Sequence, residues 1–279
     1  MQDRKYQNRD LKDTIAQVEL GNSVMYQLPT GGGKSKVAAD FVHNYNDKQI
    51  VVVAHRRELI LQMESRLSSD HITPGVLVGD IQRELDSNIL IGSIQTLSRQ
   101  NRLDTILNKK VDIVIIDEAH HLRTPSYDKL LDHLIAINPD LVILGLTATP
   151  YRSDKKDFRN YIDTLITSES VDTLIEGGYL CKFRTYVTKI GDIDAEVQKN
   201  ENDYNIQHLS KYMRQDIYLQ YLVNQYKEKG EERQTLIYTV DKKHLEAVKA
   251  KFIENGYDSI EIIHAETPSK ERANILKRY

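Results

Sequence analysis

The chain has a single cysteine, Cys181, in 279 residues. That excludes an intrachain disulfide and a zinc-binding cysteine cluster. It has no Gln-, Pro- or Ser-rich tract and no repeat at solenoid or propeller spacing, which excludes a low-complexity chain and a stacked-repeat fold. No apolar run approaches membrane-spanning length, and the opening residues, MQDRKYQNRDLKD, contain no apolar signal-peptide core. A soluble, cytoplasmic protein without a membrane partner is the expectation. Positive charge is not in excess either. The formal net charge of −3 excludes a basic polyelectrolyte of the histone type, but not a local phosphate-binding track.

The composition that remains is globular, 40% hydrophobic and 28% charged, with length for two ordinary domains. Short apolar runs at Val24–Leu28, Ile50–Ala54, Gly75–Val78, Asn88–Ile91, Val111–Ile116 and Leu141–Leu146 predict strands. Their continuity, rather than alternation, suits strands buried on both faces of a parallel sheet. Between them, Val37, Ala38, Phe41 and Val42 share one helical face, and Leu59, Ile60, Met63 and Leu67 another. The order predicts an α/β domain with a parallel sheet. Residues 151–180 read as helical, stopping at Gly177-Gly178, followed by a strand over Lys182–Ile190 and a polar loop over 191–204. Ile206, Leu209, Met213, Ile217 and Val223 predict one long amphipathic helix. A second β-α-β-α run then follows: a strand at Thr235–Val240, a helix through Leu245, Val248 and Phe252, a strand at Ser259–His264 and a helix from Ser269.

The stretch PTGGGKS, residues 29–35, lies between a predicted strand and a predicted helix. Glycines allow the backbone to curl its N–H groups around a phosphate and let the phosphate approach. The helix N-terminus that follows adds partial positive charge. Thr30, Gly31, Gly32 and Gly33 would form the cradle, Lys34 would reach the β- and γ-phosphates, and Ser35 would offer a hydroxyl to Mg²⁺. A second motif, DEAH at 117–120, follows the run VDIVIID and so sits at the carboxyl end of a strand, where parallel sheets bind ligands. Asp117 is a candidate Mg²⁺ ligand and Glu118 a candidate general base for attack of water on a phosphate. An acidic pair alone could equally cap a helix, and a lone glycine-rich turn could hold nothing; together they point to a nucleoside triphosphate.

These motifs resemble those of superfamily II helicases of the DEAD/DEAH-box type, and further stretches agree in order. The proline at 29, with Leu28 where general P-loops have glycine, is the helicase variant. RKYQ at 4–7 resembles the motif whose glutamine reads adenine, which makes Gln7, supported by Arg4 and Tyr6, a candidate contact to ATP. AHRREL at 54–59 and GSIQTL at 92–97 resemble strand-end motifs that contact nucleic acid. The resemblance therefore implies contacts from Arg56, Arg57, Ser93, Gln95 and Thr96. The bare residues also fit a solvated helix start and ordinary capping. TATP at 147–150 resembles the motif coupling hydrolysis to movement, so Thr147, Thr149 and His120 are implied coupling residues. LIYTVDKKH at 236–244 and IHAETPSKER at 263–272 resemble second-domain motifs. TATPYR, with Arg152, and EGGYLCKF, at 176–183, lean towards relatives that act on DNA rather than RNA.

The resemblance implies a RecA-like domain over 1–181, and a linker with an incomplete second RecA-like domain over 182–279. Such helicases complete the site with an arginine from a Gly-Arg motif in the second domain. This sequence has no Gly-Arg dipeptide, so a chain truncated in its second domain, with slow turnover or an arginine supplied by a partner chain, is expected. The expected function is an ATP- and Mg²⁺-dependent helicase or translocase on DNA. The rivals are a nucleotide-dependent nucleic-acid clamp without productive hydrolysis and a P-loop ATPase acting on proteins. Oligomeric state is not legible.

Overall fold

A computed structural model of the protein describes residues 4–150, 158, 160–187, 191, 193–200, 203–231 and 233–279. The chain divides after Phe183 into two compact units.

The first unit is built on an eight-stranded sheet. In chain order its elements are α1 (Lys5–Glu19), β1 (Val24–Gln27), α2 (Lys34–Asn44), β2 (Ile50–Ala54), α3 (Arg57–Ser69), β3 (Gly75–Val78), β4 (Ile81–Arg83), β5 (Ile89–Ser93), α4 (Ile94–Leu97), α5 (Gln100–Thr105), β6 (Ile113–Asp117), a 3₁₀ turn (Ala119–His121), α6 (Pro125–Ile137), β7 (Val142–Thr147), β8 (Thr164–Thr167) and α7 (Val171–Glu176). The strand order is β4-β3-β5-β2-β6-β7-β1-β8, parallel throughout except for β4 against β3. The apolar runs become strands because both sheet faces are covered. Val24, Tyr26, Ile50, Val52, Ile113 and Ile115 pack on one side, with Val37, Phe41 and Ile60 of the helices. Met25, Val51, Val53, Val114 and Ile116 pack on the other, with Leu130, Leu131 and Leu134 of α6. Period-two side-chain alternation along a strand makes both sets apolar.

Two strands of this unit escape the sequence reading. β4 is an antiparallel edge strand of three residues. β8 lies inside the stretch read as helical. Thr164–Thr167 instead pairs in register with Val24–Gln27 of β1, because β1 would otherwise be an edge with unpaired backbone groups. The Ser23 backbone N–H donates to Asp163 Oδ2 at 2.8 Å and fixes that register. Residues 151–157 and 159, including Arg152, lie outside the described residues. The stop at Gly177-Gly178 follows α7 directly.

The second unit contains α8 (Ile193–Glu196), a two-stranded hairpin of β9 (Lys199–Asn200) and β10 (Asp203–Tyr204), α9 (Ile206–Met213), α10 (Asp216–Lys229), α11 (Lys242–Glu254) and α12 (Ser269–Arg278). Its core is small: Leu219 and Val223 of α10 against Val248 and Phe252 of α11. Five expectations are corrected here, the last being the strand over Lys182–Ile190. Within 191–204, read as a loop, Ile193–Glu196 is a short helix and Lys199–Asn200 pairs antiparallel with Asp203–Tyr204. The long helix is two helices, broken at Arg214 and Gln215, where Gln215 takes an extended N-cap conformation. The apolar period continues across the break, so the pattern hides it. Neither Thr235–Val240 nor Ser259–His264 is a strand among the described residues. Alternation sets only which side chains face inward. Ile237 and Ile260 pack on the core while Leu236 and Tyr238 stay exposed, and a strand also needs a ladder partner. Residues 182–187 have no regular structure, and 188–190 lie outside the described residues.

Candidate nucleotide-binding site

Register brings the site together. Gln27 at the end of β1 lies beside Thr147 of β7, and Asp117 at the end of β6 lies beside Leu146. The loops leaving β1, β6 and β7 therefore start at one level at the carboxyl edge of the sheet, where such sheets bind ligands.

The loop after β1 turns through Gly31 at φ +80° and Gly33 at φ +98°, conformations that a side chain disfavours. The Gly32 N–H donates to the Pro29 carbonyl at 3.0 Å, and Gly33 caps α2. Lys34 opens α2 with its amine on the Leu28 carbonyl at 3.1 Å. Burial lowers the Lys34 pKa, while the charges of Glu118 and Asp117 work to raise it. The lysine from one strand end thus feels the carboxylates from another. Thr30 and Ser35 are exposed at the loop. A cavity of about 560 Å³ borders this loop, with Arg4, Gln7, Gly31, Gly33, Ser35 and Asp117 in its lining. That volume lies within the roughly 300–1,000 Å³ of small-molecule sites.

The N-terminal motif is fastened to this loop. Three side chains converge on the Gly32 carbonyl: Tyr6 donates its hydroxyl at 2.6 Å, Gln7 its Nε2 at 2.9 Å and Arg4 its Nη1 at 3.3 Å. Gln7 Oε1 accepts the Arg4 backbone N–H at 3.4 Å. Sequence reading missed two supports. Tyr179, after the glycine stop, sits edge-on to Tyr6 at 5.6 Å and under the Arg4 guanidinium at 4.9 Å. Asp10, one turn along α1 from Gln7, is 1% exposed. Its carboxylate accepts from the Tyr26 hydroxyl at 2.9 Å, from the Ser168 hydroxyl and from the Arg9 guanidinium at 2.8 Å. A charged residue on the apolar face of α1 was the one available signal; Ser168 is too distant in sequence to suggest a partner.

Asp10→Ala should cost about 1–3 kcal/mol, because it strands the buried Tyr26 hydroxyl. Urea denaturation of the two proteins measures it. Gly33→Ala should weaken nucleotide binding. Its Cβ would lie 2.3 Å from Gln7 Nε2, and the backbone strain adds roughly 1–3 kcal/mol. Titration with a fluorescent ATP analogue reads the loss.

Asp117 ends β6, and its Oδ1 accepts the Glu118 backbone N–H at 3.0 Å. Burial and then repulsion from Glu118 push the Asp117 carboxyl above its usual range. Glu118 itself stands at φ +51°, a left-handed conformation costing a non-glycine residue roughly 1–3 kcal/mol and concentrated at functional sites. The 3₁₀ turn follows. His120 Nδ1 lies 3.3 Å from Glu118 Oε2 and 3.3 Å from Thr147 Oγ1. Thr147 is buried; its hydroxyl donates to the Thr149 carbonyl at 3.0 Å and accepts the Thr149 N–H at 3.1 Å. His120, Thr147 and Thr149 therefore form one connected group with the acidic pair.

The residues expected at a nucleic-acid edge separate into two sets. Arg56 and Arg57 start α3 and are exposed, as is Gln95. Ser93 and Thr96 are buried instead. The Ser93 hydroxyl donates to Thr96 Oγ1 at 2.9 Å, which also accepts the Gly79 N–H at 3.2 Å. These two hydroxyls brace the turn between β5 and α4 against β3. The first helical turn faces them inward, and the motif's spacing does not reveal that.

Fold and site define a RecA-like P-loop unit of the superfamily II helicase class. Residues 1–152 match the family described as "Type III restriction enzyme, res subunit", and the chain belongs to that family. It is 28% identical to IRC3 of Saccharomyces cerevisiae over 99% of this chain and 42% of IRC3. It is 25% identical to mph1 of Aspergillus niger, an ATP-dependent DNA helicase, over 70% of this chain and 17% of mph1. The Hef helicase domain of Pyrococcus furiosus has the same fold, with a TM-score of 0.53 at 17% identity, over 91% of this chain and 55% of that one. The chain thus spans about two fifths of the length of IRC3.

Proposed function

We propose that this chain binds ATP with Mg²⁺ and belongs to an ATP-dependent helicase or translocase that works on DNA. Residues 1–181 would serve as the nucleotide-binding domain, and 182–279 as linker and second-domain sequence. The observation that carries the reading is the strand register that brings the glycine loop with Lys34, after β1, and the Asp117–Glu118 pair, after β6, to one sheet edge on either side of β7.

The residues present fit Mg²⁺. Asp117 is a carboxylate held against burial and a neighbouring charge, and Ser35 adds a second hard oxygen donor. Bound there, the ion would neutralise phosphate charge. The chain's own groups would do the rest. The 31–33 backbone and Lys34 hold the phosphates, Gln7 and Arg4 border the base, and Glu118 orients the attacking water and takes its proton. His120, Thr147 and Thr149 tie Glu118 to the end of β7. Transition-state charge in such reactions is relieved by an arginine, worth roughly 10³–10⁵ in rate. We assign that role to an arginine of another domain or a partner chain. The preference for DNA is supported by the name of mph1 and by the family match.

The test is ATP hydrolysis by the protein alone and with single-stranded DNA, duplex DNA and RNA. Stimulation by DNA above RNA is expected. ATP binding without hydrolysis would favour a nucleotide-dependent clamp, hydrolysis that no nucleic acid stimulates would favour an ATPase acting on proteins, and no ATP binding at all would sink the proposal.

A further inference from the structure

Two histidines have no part in the site described so far: His55, at the end of β2, and His121, at the end of the 3₁₀ turn. They lie in one line of contact with His120. The His120 and His121 rings are 4.2 Å apart between centroids, and His121 stacks on His55 at 5.2 Å with 25° between planes. One end of the line touches the acidic pair, since His120 Nδ1 is 3.3 Å from both Glu118 Oε2 and Thr147 Oγ1. The other end reaches the exposed edge. Gln95 Nε2 lies 3.5 Å from His55 Nδ1 and donates to the His55 carbonyl at 3.4 Å. His55 directly precedes Arg56 and Arg57. Among the described residues, no group of His, Cys, Asp and Glu has the arrangement of a metal site.

We propose that His121 is a positioning residue for Glu118, and that the His55–His121–His120 stack carries occupancy of the Arg56–Arg57–Gln95 edge to the nucleotide site. The inference rests on the proposed function above. Its physical basis is the shortness of the path. His120 and His121 share a single turn of three residues, and Glu118 caps it in a strained backbone conformation. Close-packed groups move between discrete arrangements instead of deforming smoothly. A shift of β2's end, felt through His55, must therefore displace the His121 ring or turn the whole 3₁₀ segment. Either movement carries His120 and the Glu118 backbone with it.

The experiment measures coupling between two ligands, without hydrolysis. The full chain is titrated with a non-hydrolysable fluorescent ATP analogue in the presence and absence of single-stranded oligothymidylate, and then in the reverse order. Linkage requires the same factor both ways, and a coupling of about fivefold or more is expected for the wild type. His121→Ala should bind each ligand alone as the wild type does, with the coupling factor falling to near one. His121→Phe keeps a ring in the stack and should keep the coupling. Should the alanine protein melt early, His121→Asn carries the same expectation as His121→Ala. A wild type that binds both ligands independently overturns this inference and leaves the proposed function standing, as does full coupling in His121→Ala or its loss in His121→Phe. Failure of the wild type to bind the analogue overturns both.

Discussion

Glu118→Gln should bind ATP with wild-type affinity and hydrolyse it roughly 10²–10⁴-fold more slowly, the usual contribution of a positioned general base. Glutamine matches glutamate in shape and can still meet His120, so the αL turn and the packing of Ala119 beneath it should persist. What disappears is the ability to accept a proton from water. Asp117 cannot take over, because it lies on the β6 strand and its Oδ1 is engaged by the Glu118 backbone N–H. Single-turnover hydrolysis, with protein in excess over ATP, isolates the chemical step from product release. Unchanged turnover in Glu118→Gln would remove Glu118 from its assigned role and return the acidic pair to helix capping.

Lys34→Ala should lose roughly 10–100-fold in ATP affinity, as expected when a charge-assisted contact worth about 1.5–3 kcal/mol is removed. Its effect on stability should run the other way. Burial lowers the Lys34 pKa in the folded protein. The sign follows: a lysine whose folded pKa lies below its unfolded value is held charged at a cost at neutral pH, and the cost is relieved only as pH rises towards the unfolded value. Without nucleotide, then, Lys34→Ala should melt no earlier than the wild type. Adding ATP and Mg²⁺ should raise the wild-type melting temperature, since a ligand that binds only the folded state stabilises it by mass action. The variant should gain little. Thermal melts of both proteins across a nucleotide series distinguish these outcomes, and an equal shift in the two would show that Lys34 does not hold phosphate. A residue that weakens the fold while serving the site is the usual trade at functional positions.

The parts of this protein readable from its residues are those that local chemistry decides. Glycines at 31 and 33 announce a backbone of positive φ, and the structure has it at both. Continuous runs such as IVVVA at 50–54 announce a strand covered on both faces, and all five of its residues are buried. An Asp-Glu pair after such a run must emerge at a strand end. None of these needs knowledge of what lies across the sheet.

Tertiary structure decided everything that depends on a partner distant in sequence. β8 is a strand because β1 had an open edge, and the runs at 235–240 and 259–264 are not strands because no described neighbour pairs with them. Ser93 and Thr96 turned inward to brace a loop, whereas Gln95 between them faces out. Asp10 found Tyr26 and Ser168, and His55 found His121, across gaps that no spacing rule covers. A residue's own sequence neighbourhood sets its backbone preference and sidedness; hydrogen-bond and ring partners are set by which strands lie side by side. The turn of the glycine-rich loop was thus a property of the sequence, and its fastening to the N-terminal helix was a property of the folded chain.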